Sequence, residues 1–292
     1  MTATEGTRGG AGAEAERGAG PGAEAVAGAA PRRVRRRPDW GKYLTWAVLA
    51  WLFAPILFMV AFSFNDAQGR HNVTWQGFTL RWYGDAFAYP DLNAALANTL
   101  SIAVLTMVVS GVLGTLLGVA LGRYRFRGRA ATDLVMFSAI SAPEVVLGAA
   151  LLSMFLTMNV ATGYLTVLLA HVMFSVSFVA ITVRARVLTM DASIEEAARD
   201  LGAGPVTTFR LVTLPLLLPA VTAGGLIAFA LSVDDFIITS FVSGSTQTFP
   251  LWIWGATRVG IPPQVNVMGT LIFAVGVLLA AGNVLLARRR AR

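Results

Sequence analysis

The 292-residue chain has no cysteine and only two histidines, His71 and His171, which stand a hundred positions apart. Disulfides, thiol nucleophiles and thiolate metal sites are therefore excluded, and two isolated imidazoles do not make a metal centre. No glycine-rich run ending in Gly-Lys-Ser or Gly-Lys-Thr occurs, so the chain has no phosphate-cradling loop of its own and is not itself a nucleotide hydrolase. Charge is also scarce. Charged residues make up 13% of the chain, against roughly 25% in a soluble domain. Hydrophobic residues make up 55% and the mean hydropathy is +0.65. A soluble fold of this size could not cover its surface with so few charges, so the composition is that of a membrane protein. The net charge of +7 would suit nucleic-acid binding only if the basic residues formed one patch beside aromatics. They are dispersed instead, and no nucleic-acid partner is expected.

What is abundant is long apolar runs. A bilayer core takes about 20 mostly apolar residues as a helix. Six runs qualify: Tyr43 to Phe64, Ala95 to Leu121, Asp133 to Met158, Tyr164 to Val183, Leu211 to Val233 and Val267 to Ala287. Lysine and arginine set their orientation, because cytoplasmic loops retain the excess of positive charge. With the N-terminus inside, eight basic residues fall in the leader. Four lie between the second and third spans (Arg123, Arg125, Arg127, Arg129), four between the fourth and fifth (Arg184, Arg186, Arg199, Arg210), and four at the C-terminus. Only Arg70, Arg81 and Arg258 remain outside. The expected fold is an all-α membrane protein of six transmembrane helices with both termini cytoplasmic. Residues 1–38, rich in Ala, Gly and Glu, show no periodic apolar face and read as a disordered basic tail. The membrane domain is expected at 39–292. "RRVRRRPDW" could open a twin-arginine export signal, but the apolar run after it is long and lacks a small-residue cleavage site, so a retained helix is expected.

One cytoplasmic stretch breaks the apolar pattern: "SIEEAARDLGAGPVTTFRLVTLPLLLPA", Ser193 to Ala220. Ser193 followed by Glu196 has capping-box spacing and predicts a helix start. Ile194, Ala197, Ala198 and Leu201 fall at i, i+3, i+4 and i+7 and form one apolar stripe. Glu195 stands four residues before Arg199, a favourable pair in that order. Gly202, Gly204 and Pro205 supply stop signals. A helix of about two turns is too short to be stable alone. Its stripe either packs on its own bundle as a lid or fits a groove on a cytosolic partner, and periodicity does not choose between them.

Several polar residues fall inside the runs. Glu144 lies about 11 residues into the third, roughly 17 Å along, near mid-membrane. Intramembrane carboxylates face cavities or partners and are candidates for function, the alternative being a protonated structural hydrogen bond beside Pro143. Asp234 and Asp235 lie about 20 residues past Pro215, roughly 30 Å, at the outer end of the fifth span. As sequence neighbours they cannot face one way. One is expected to face a vestibule, while the other caps a helix or pairs with a group such as Arg258. Trp252 and Trp254 read first as interfacial anchors and second as cation-binding faces. His171 reads as a hydrogen-bonding core residue ahead of a proton relay. Gly114, Gly118 and Gly122 form a small-residue face for close helix packing.

"EAARDLG" at Glu196 to Gly202, then nine residues, then "VTLP" ending at Pro215, resembles the EAA signature of permease subunits of ABC importers. Val212 stands where that motif prefers Ile. The segments "SFND", "WQGFTLRWYGDAF", "LANTLSIAV", "APEVVLGAALL", "SVDDFIITSFVSG" and "FPLWIWGATRVGIPPQVN" are similar to the second permease of spermidine/putrescine importers. The resemblance implies a type I importer fold with its core at 93–287, no catalytic residues, no cofactor and no metal, in a bacterial inner membrane. It also implies three kinds of partner besides membrane lipid: a pair of ABC ATPase subunits, a second permease and an extracytoplasmic solute-binding protein. The loop is then the coupling helix seated in the ATPase, with Ile194, Glu195, Glu196, Ala197, Ala198, Leu201, Gly202 and Pro215 in that role. Glu144, Asp234, Asp235, Trp252 and Trp254 are candidates for the pathway of a polyamine. The rivals are a permease for another small solute, a proton-coupled carrier using Glu144, Asp234, Asp235 and His171, and, more weakly, an intramembrane aspartate hydrolase.

Overall fold

The computed structural model describes residues 40–69 and 71–290, with side chains described as far as Leu278 and at Gly282. The basic leader, the Arg70 position and the side chains of the C-terminal arginines lie outside the described residues. All regular elements described are helical, and pairing of extended chain is limited to a bridge between Asn65 and Phe78. Helix α1 covers Trp40–Phe62, α2 Arg81–Gly84, α3 Pro90–Arg123, α4 Arg129–Ser141, α5 Glu144–Thr157, α6 Tyr164–Thr189, α7 Ser193–Asp200 and α8 Pro205–Thr208. A π turn at Phe209–Thr213 leads into α9, Leu214–Asp234, followed by α10 at Ile237–Val242, α11 at Phe249–Ala256 and α12 at Pro263–Arg290. The chain divides into two units, one up to Phe53 and one from Ala54 onward. Of the first, residues 40–53 of α1 are described; the second holds α1 from Ala54 and every later element.

Four stretches are long and apolar enough to cross a membrane: α1, α3, α6 and the run from α8 through α9. The third expected span is not one helix. It breaks between α4 and α5, which meet at 111°. Proline disfavours the helical conformation in the residue before it, and Ala142 accordingly sits at ψ 138°, with Pro143 itself extended at ψ 131°. Counted as one broken span, the pair brings the number to five. In α12 the apolar part with described side chains, Pro263–Leu278, is shorter than a span.

The centre of the second unit is the mutual packing of α3, α6 and α9, with α6 against both of the others and α3 also touching α9. Apolar helices in lipid gain no hydrophobic driving force from one another, so close contact has to come from small residues. A Cβ placed on Gly114 would lie 2.6 Å from Val179 Cβ, one on Gly118 2.7 Å from the Ala180 carbonyl oxygen, and one on Gly122 2.5 Å from Val187 Cγ1. The every-fourth-residue glycines of α3 thus form a slot for α6, and Gly224 of α9 approaches Val179 from the other side. A second apolar cluster joins Ile102, Phe155, Val167, Phe174, Ile238 and Val242, from α3, α5, α6 and α10. Two buried hydroxyls in α3 are satisfied locally: Thr115 donates to the Gly111 carbonyl at 2.6 Å and Ser110 to that of Thr106.

Between α1 and α3, "SFND" and "WQGFTLRWYGDAF" fold onto each other. Phe64 stacks between Phe78 and Tyr83. The buried Asn65 side chain donates to the Thr74 carbonyl at 2.7 Å and accepts from the Gln76 N–H at 2.6 Å. Arg81 closes the loop on Asp66 at 3.1 Å.

Candidate functional site

The α7 loop starts differently from the capping-box expectation. Ala192 occupies the cap position with helical angles, and no side chain caps the helix. The Ser193 N–H is taken instead by Asp191 Oδ1 at 3.0 Å, a bond that holds the exposed Asp191 carboxyl below its usual pKa. Glu195 also departs from expectation. Rather than pairing with Arg199 along the helix, it turns into the bundle, with its side chain only 12% exposed. There its Oε1 accepts from Thr213 Oγ1 at 3.0 Å and from Arg123 Nη2 at 3.5 Å. Arg123, the last residue of α3, also donates through Nη1 to the Met190 carbonyl at 3.4 Å.

With Glu195 directed inward, the apolar stripe is left uncovered by its own chain. Ile194 is 45% and Leu201 90% exposed, Ala197 is exposed, and Ala198 is half-buried. Glu196 is exposed as well. The lid reading required the stripe to be buried on its own bundle, and it is not. The helix ends as its glycines predicted. Gly202 has φ +87°, its N–H bonds the Arg199 carbonyl at 2.8 Å, and Ala203 N–H reaches back to Ala198 at 3.1 Å. This pair of bonds is the Schellman arrangement, which satisfies carbonyls that a helix end otherwise strands.

Pro215 does not break the chain off from α9. A proline ring collides with the carbonyl four residues earlier and supplies no N–H. The backbone accommodates this by widening into a π turn just upstream, in which Leu214 N–H bonds the Phe209 carbonyl. Turns of this kind recur at functional positions. Thr213, which holds Glu195, lies in the same turn.

The second group of candidates lies at the other end of α9. Asp235 is buried and fully engaged. Its Oδ2 accepts from the Thr239 N–H at 2.8 Å and the Thr239 hydroxyl at 2.6 Å, both on α10. It also contacts His171 Nε2 at 3.2 Å. His171 is 1% exposed, and its Nδ1 meets Ser232 Oγ at 2.7 Å. The expected partner Arg258 is replaced by His171: the α9–α10 turn faces α6, so the buried imidazole, not the loop arginine, meets this carboxylate. Asp235 is thus the capping member of the acidic pair and Asp234 the exposed one. Trp254 is 53% exposed and packs on Phe236, the residue that follows the acidic pair, with ring centroids 5.3 Å apart. Trp252, two residues earlier, points elsewhere and joins the cluster of Leu92, Phe249, Val265 and Met268. Glu144 is the first residue of α5, at the break in the third span, and is exposed within this chain. A carboxylate at that position lies at the positive end of the α5 dipole. No contact among the described residues joins Glu144 to Asp234 or Trp254.

No group of residues among those described suits a metal ion. A mostly apolar cavity of about 600 Å³ is lined by Met107, Gly111, Thr115, Phe209, Thr222 and Gly225 and has no carboxylate in its lining. Sequence reasoning missed Arg123 and Thr213 as partners of the loop. Arg123 is one of four arginines in its loop, and nothing in the spacing separates it from the others.

Residues 114–292 match the family described as "binding-protein-dependent transport system inner membrane component". The chain belongs to this family. It is 35% identical over 253 residues to the spermidine/putrescine transport system permease protein PotC of Escherichia coli K12, covering 86% of this chain and 95% of the relative. It is 37% identical over 251 residues to the putrescine transport system permease protein PotI of the same strain, covering 83% and 89%. Among solved structures it resembles a bacterial ABC transporter involved in import of the acidic polysaccharide alginate, with TM-score 0.61, 21% identity, and 85% of this chain and 96% of that one covered. The inward-facing MetNI methionine ABC transporter gives TM-score 0.56 at 18% identity, covering 68% and 95%. These likenesses establish the fold of an ABC transporter permease. The chain is an inner-membrane transport permease, and one such fold serves cargoes as unlike as a polysaccharide and an amino acid.

Proposed function

We propose that the chain is one permease subunit of an ATP-driven polyamine importer, with six spans, both termini in the cytoplasm, a membrane domain at 39–292 and its transport core at 93–287. It works with a second permease, a pair of ATPase subunits that hydrolyse ATP on separate chains, and an extracytoplasmic solute-binding protein. The observation that carries the reading is the α7 loop: a helix tied to the bundle through Glu195 while its apolar stripe faces outward, uncovered. ATPase closure then moves this loop and rocks the bundle between inward-open and outward-open forms.

The polyamine cargo is supported by the two relatives named for spermidine and putrescine, which span most of this chain. Glu144, Asp234 and Trp254 supply the chemistry a protonated amine needs, namely exposed carboxylates and an aromatic face. Asp235 supports this arrangement as the cap that orients α10, and Trp252 acts as packing. A proton-coupled carrier is less well supported, because both nitrogens of the buried His171 are occupied by Ser232, Asp235 and Thr239. The test is a photo-crosslinker attached at Ile194→Cys in the otherwise cysteine-free chain, within the assembled complex. Adducts are expected with the ATPase subunit, and adducts only within the permease would refute the coupling role.

A further inference from the structure

We infer that Arg123 is the positioning residue that makes the coupling helix a rigid lever, and that the Arg123–Glu195–Thr213 clamp carries its motion to α3 and α9. The inference rests on the reading of α7 as the ATPase contact. An eight-residue helix hung between two short loops has no rigidity of its own. Its stripe faces away from the bundle, so packing along that face does not hold it either. What fixes it is one carboxylate gripped from two sides. Arg123 sits at the cytoplasmic end of α3, and Thr213 lies in the π turn at the base of α9. A push on α7 therefore reaches both α3 and α9, the two helices packed against α6.

Three observations distinguish this clamp from an incidental surface ion pair. The charged side chains are 18% and 12% exposed, so solvent screens them less than an open pair. Glu195 forgoes the favourable partner four residues along its own helix, Arg199, to reach Arg123. Finally, Arg123 Nε is buried with no hydrogen-bond partner, while Nη2 makes a single long contact of 3.5 Å. The guanidinium is thus under-used. Arginine grips a carboxylate best through two parallel bonds of about 2.8 Å, so this guanidinium keeps donor capacity in reserve at the point where α7 meets α3.

The test uses the whole complex in proteoliposomes with its binding protein, and reads solute transported per ATP hydrolysed. Arg123→Gln and Glu195→Gln are each expected to lower this ratio by roughly tenfold, the range of a typical coupling between sites. Subunit abundance and ATPase co-purification should stay normal, because the outward stripe is unaltered. The double variant should be no worse than either single one, since both remove the same interaction. A residue that merely stabilised the fold would lower abundance and transport together and leave the ratio intact. Wild-type stoichiometry in both single variants, or losses that multiply in the double, would overturn the clamp. Should Arg123→Gln fail to accumulate, Glu195→Gln, which keeps a hydrogen bond to Thr213, decides alone: a lowered ratio supports the clamp and a wild-type ratio overturns it. Failure of the underlying reading is distinguishable: it would appear as an absence of Ile194→Cys adducts with the ATPase in a complex whose Arg123 and Glu195 are intact, whereas the clamp alone fails when those adducts form and the variants still couple normally.

Discussion

Replacing Gly202 with valine isolates the backbone contribution to coupling. Gly202 sits at φ +87°, and a Cβ added there would meet nothing within 4 Å. The substitution therefore creates no clash with another element, and its whole cost is conformational. A side chain in this region costs about 1–3 kcal/mol, with β-branched residues at the upper end. Taking about 2 kcal/mol, the terminated form loses on the order of thirtyfold in population relative to alternatives in which the turn reopens. The loop has little to offset this. α7 is eight residues long, and its end is held by the bonds of Gly202 to Arg199 and Ala203 to Ala198. Reopening the turn swings Leu201 and Ala203 and misplaces the apolar stripe. The assay is binding-protein-stimulated ATP hydrolysis alongside solute uptake in a purified complex, with membrane abundance as the control. Gly202→Val should accumulate normally and lose most of both activities. Gly202→Asn, which tolerates the left-handed region, should keep a larger share. Normal uptake and stimulation by Gly202→Val would refute the argument that this turn sets the coupling geometry.

Other predictions concern packing, topology and cargo. Gly118→Ala drives a methyl to 2.7 Å from the Ala180 carbonyl oxygen and should destabilise the complex by about 1–3 kcal/mol, read as a lower thermal midpoint in detergent. Gly111→Ala, whose Cβ meets nothing within 4 Å, should be neutral or slightly stabilising, and equal losses for the two would contradict the slot. Single cysteines at His71 and Ser245 should react with an impermeant thiol reagent in intact cells while one at Arg127 should not. The reverse pattern would invert the topology. Glu144→Gln and Asp234→Asn should each lower polyamine uptake without lowering stability. Asp235→Asn should cost about 1–3 kcal/mol of stability by disturbing the buried bonds to His171 and Thr239. Thermal melts and uptake on the same preparations separate the two classes.

The sequence revealed long apolar segments, because burial in lipid imposes a length and a composition that hydropathy reads directly. The glycine slot of α3 was also legible, since a spacing of four residues places Gly114, Gly118 and Gly122 on one face whatever surrounds them. Pro143 was visible, but the 111° bend was not: a proline marks where a helix yields and leaves the direction to tertiary contacts. The small helices α2, α10 and α11 were invisible for a related reason. α10 is six residues long and exists because Asp235 caps it, and Asp235 is held by an imidazole 64 positions away. The helix start at Ser193 was legible, but its polar contacts were not, because local partners competed. Asp191 took the Ser193 N–H from upstream, and Arg123 drew Glu195 away from Arg199. Local rules name the groups able to pair, and the fold decides which of them meet.

The central claim is that this permease moves a polyamine at the expense of ATP, and it is tested most directly by uptake of labelled spermidine and putrescine into proteoliposomes holding the full complex. With binding protein outside and ATP inside, uptake should require hydrolysable nucleotide and persist when the proton gradient is collapsed. Uptake that follows an imposed proton gradient in the absence of ATP, or ATP-driven uptake of another solute with none of either polyamine, would contradict the account.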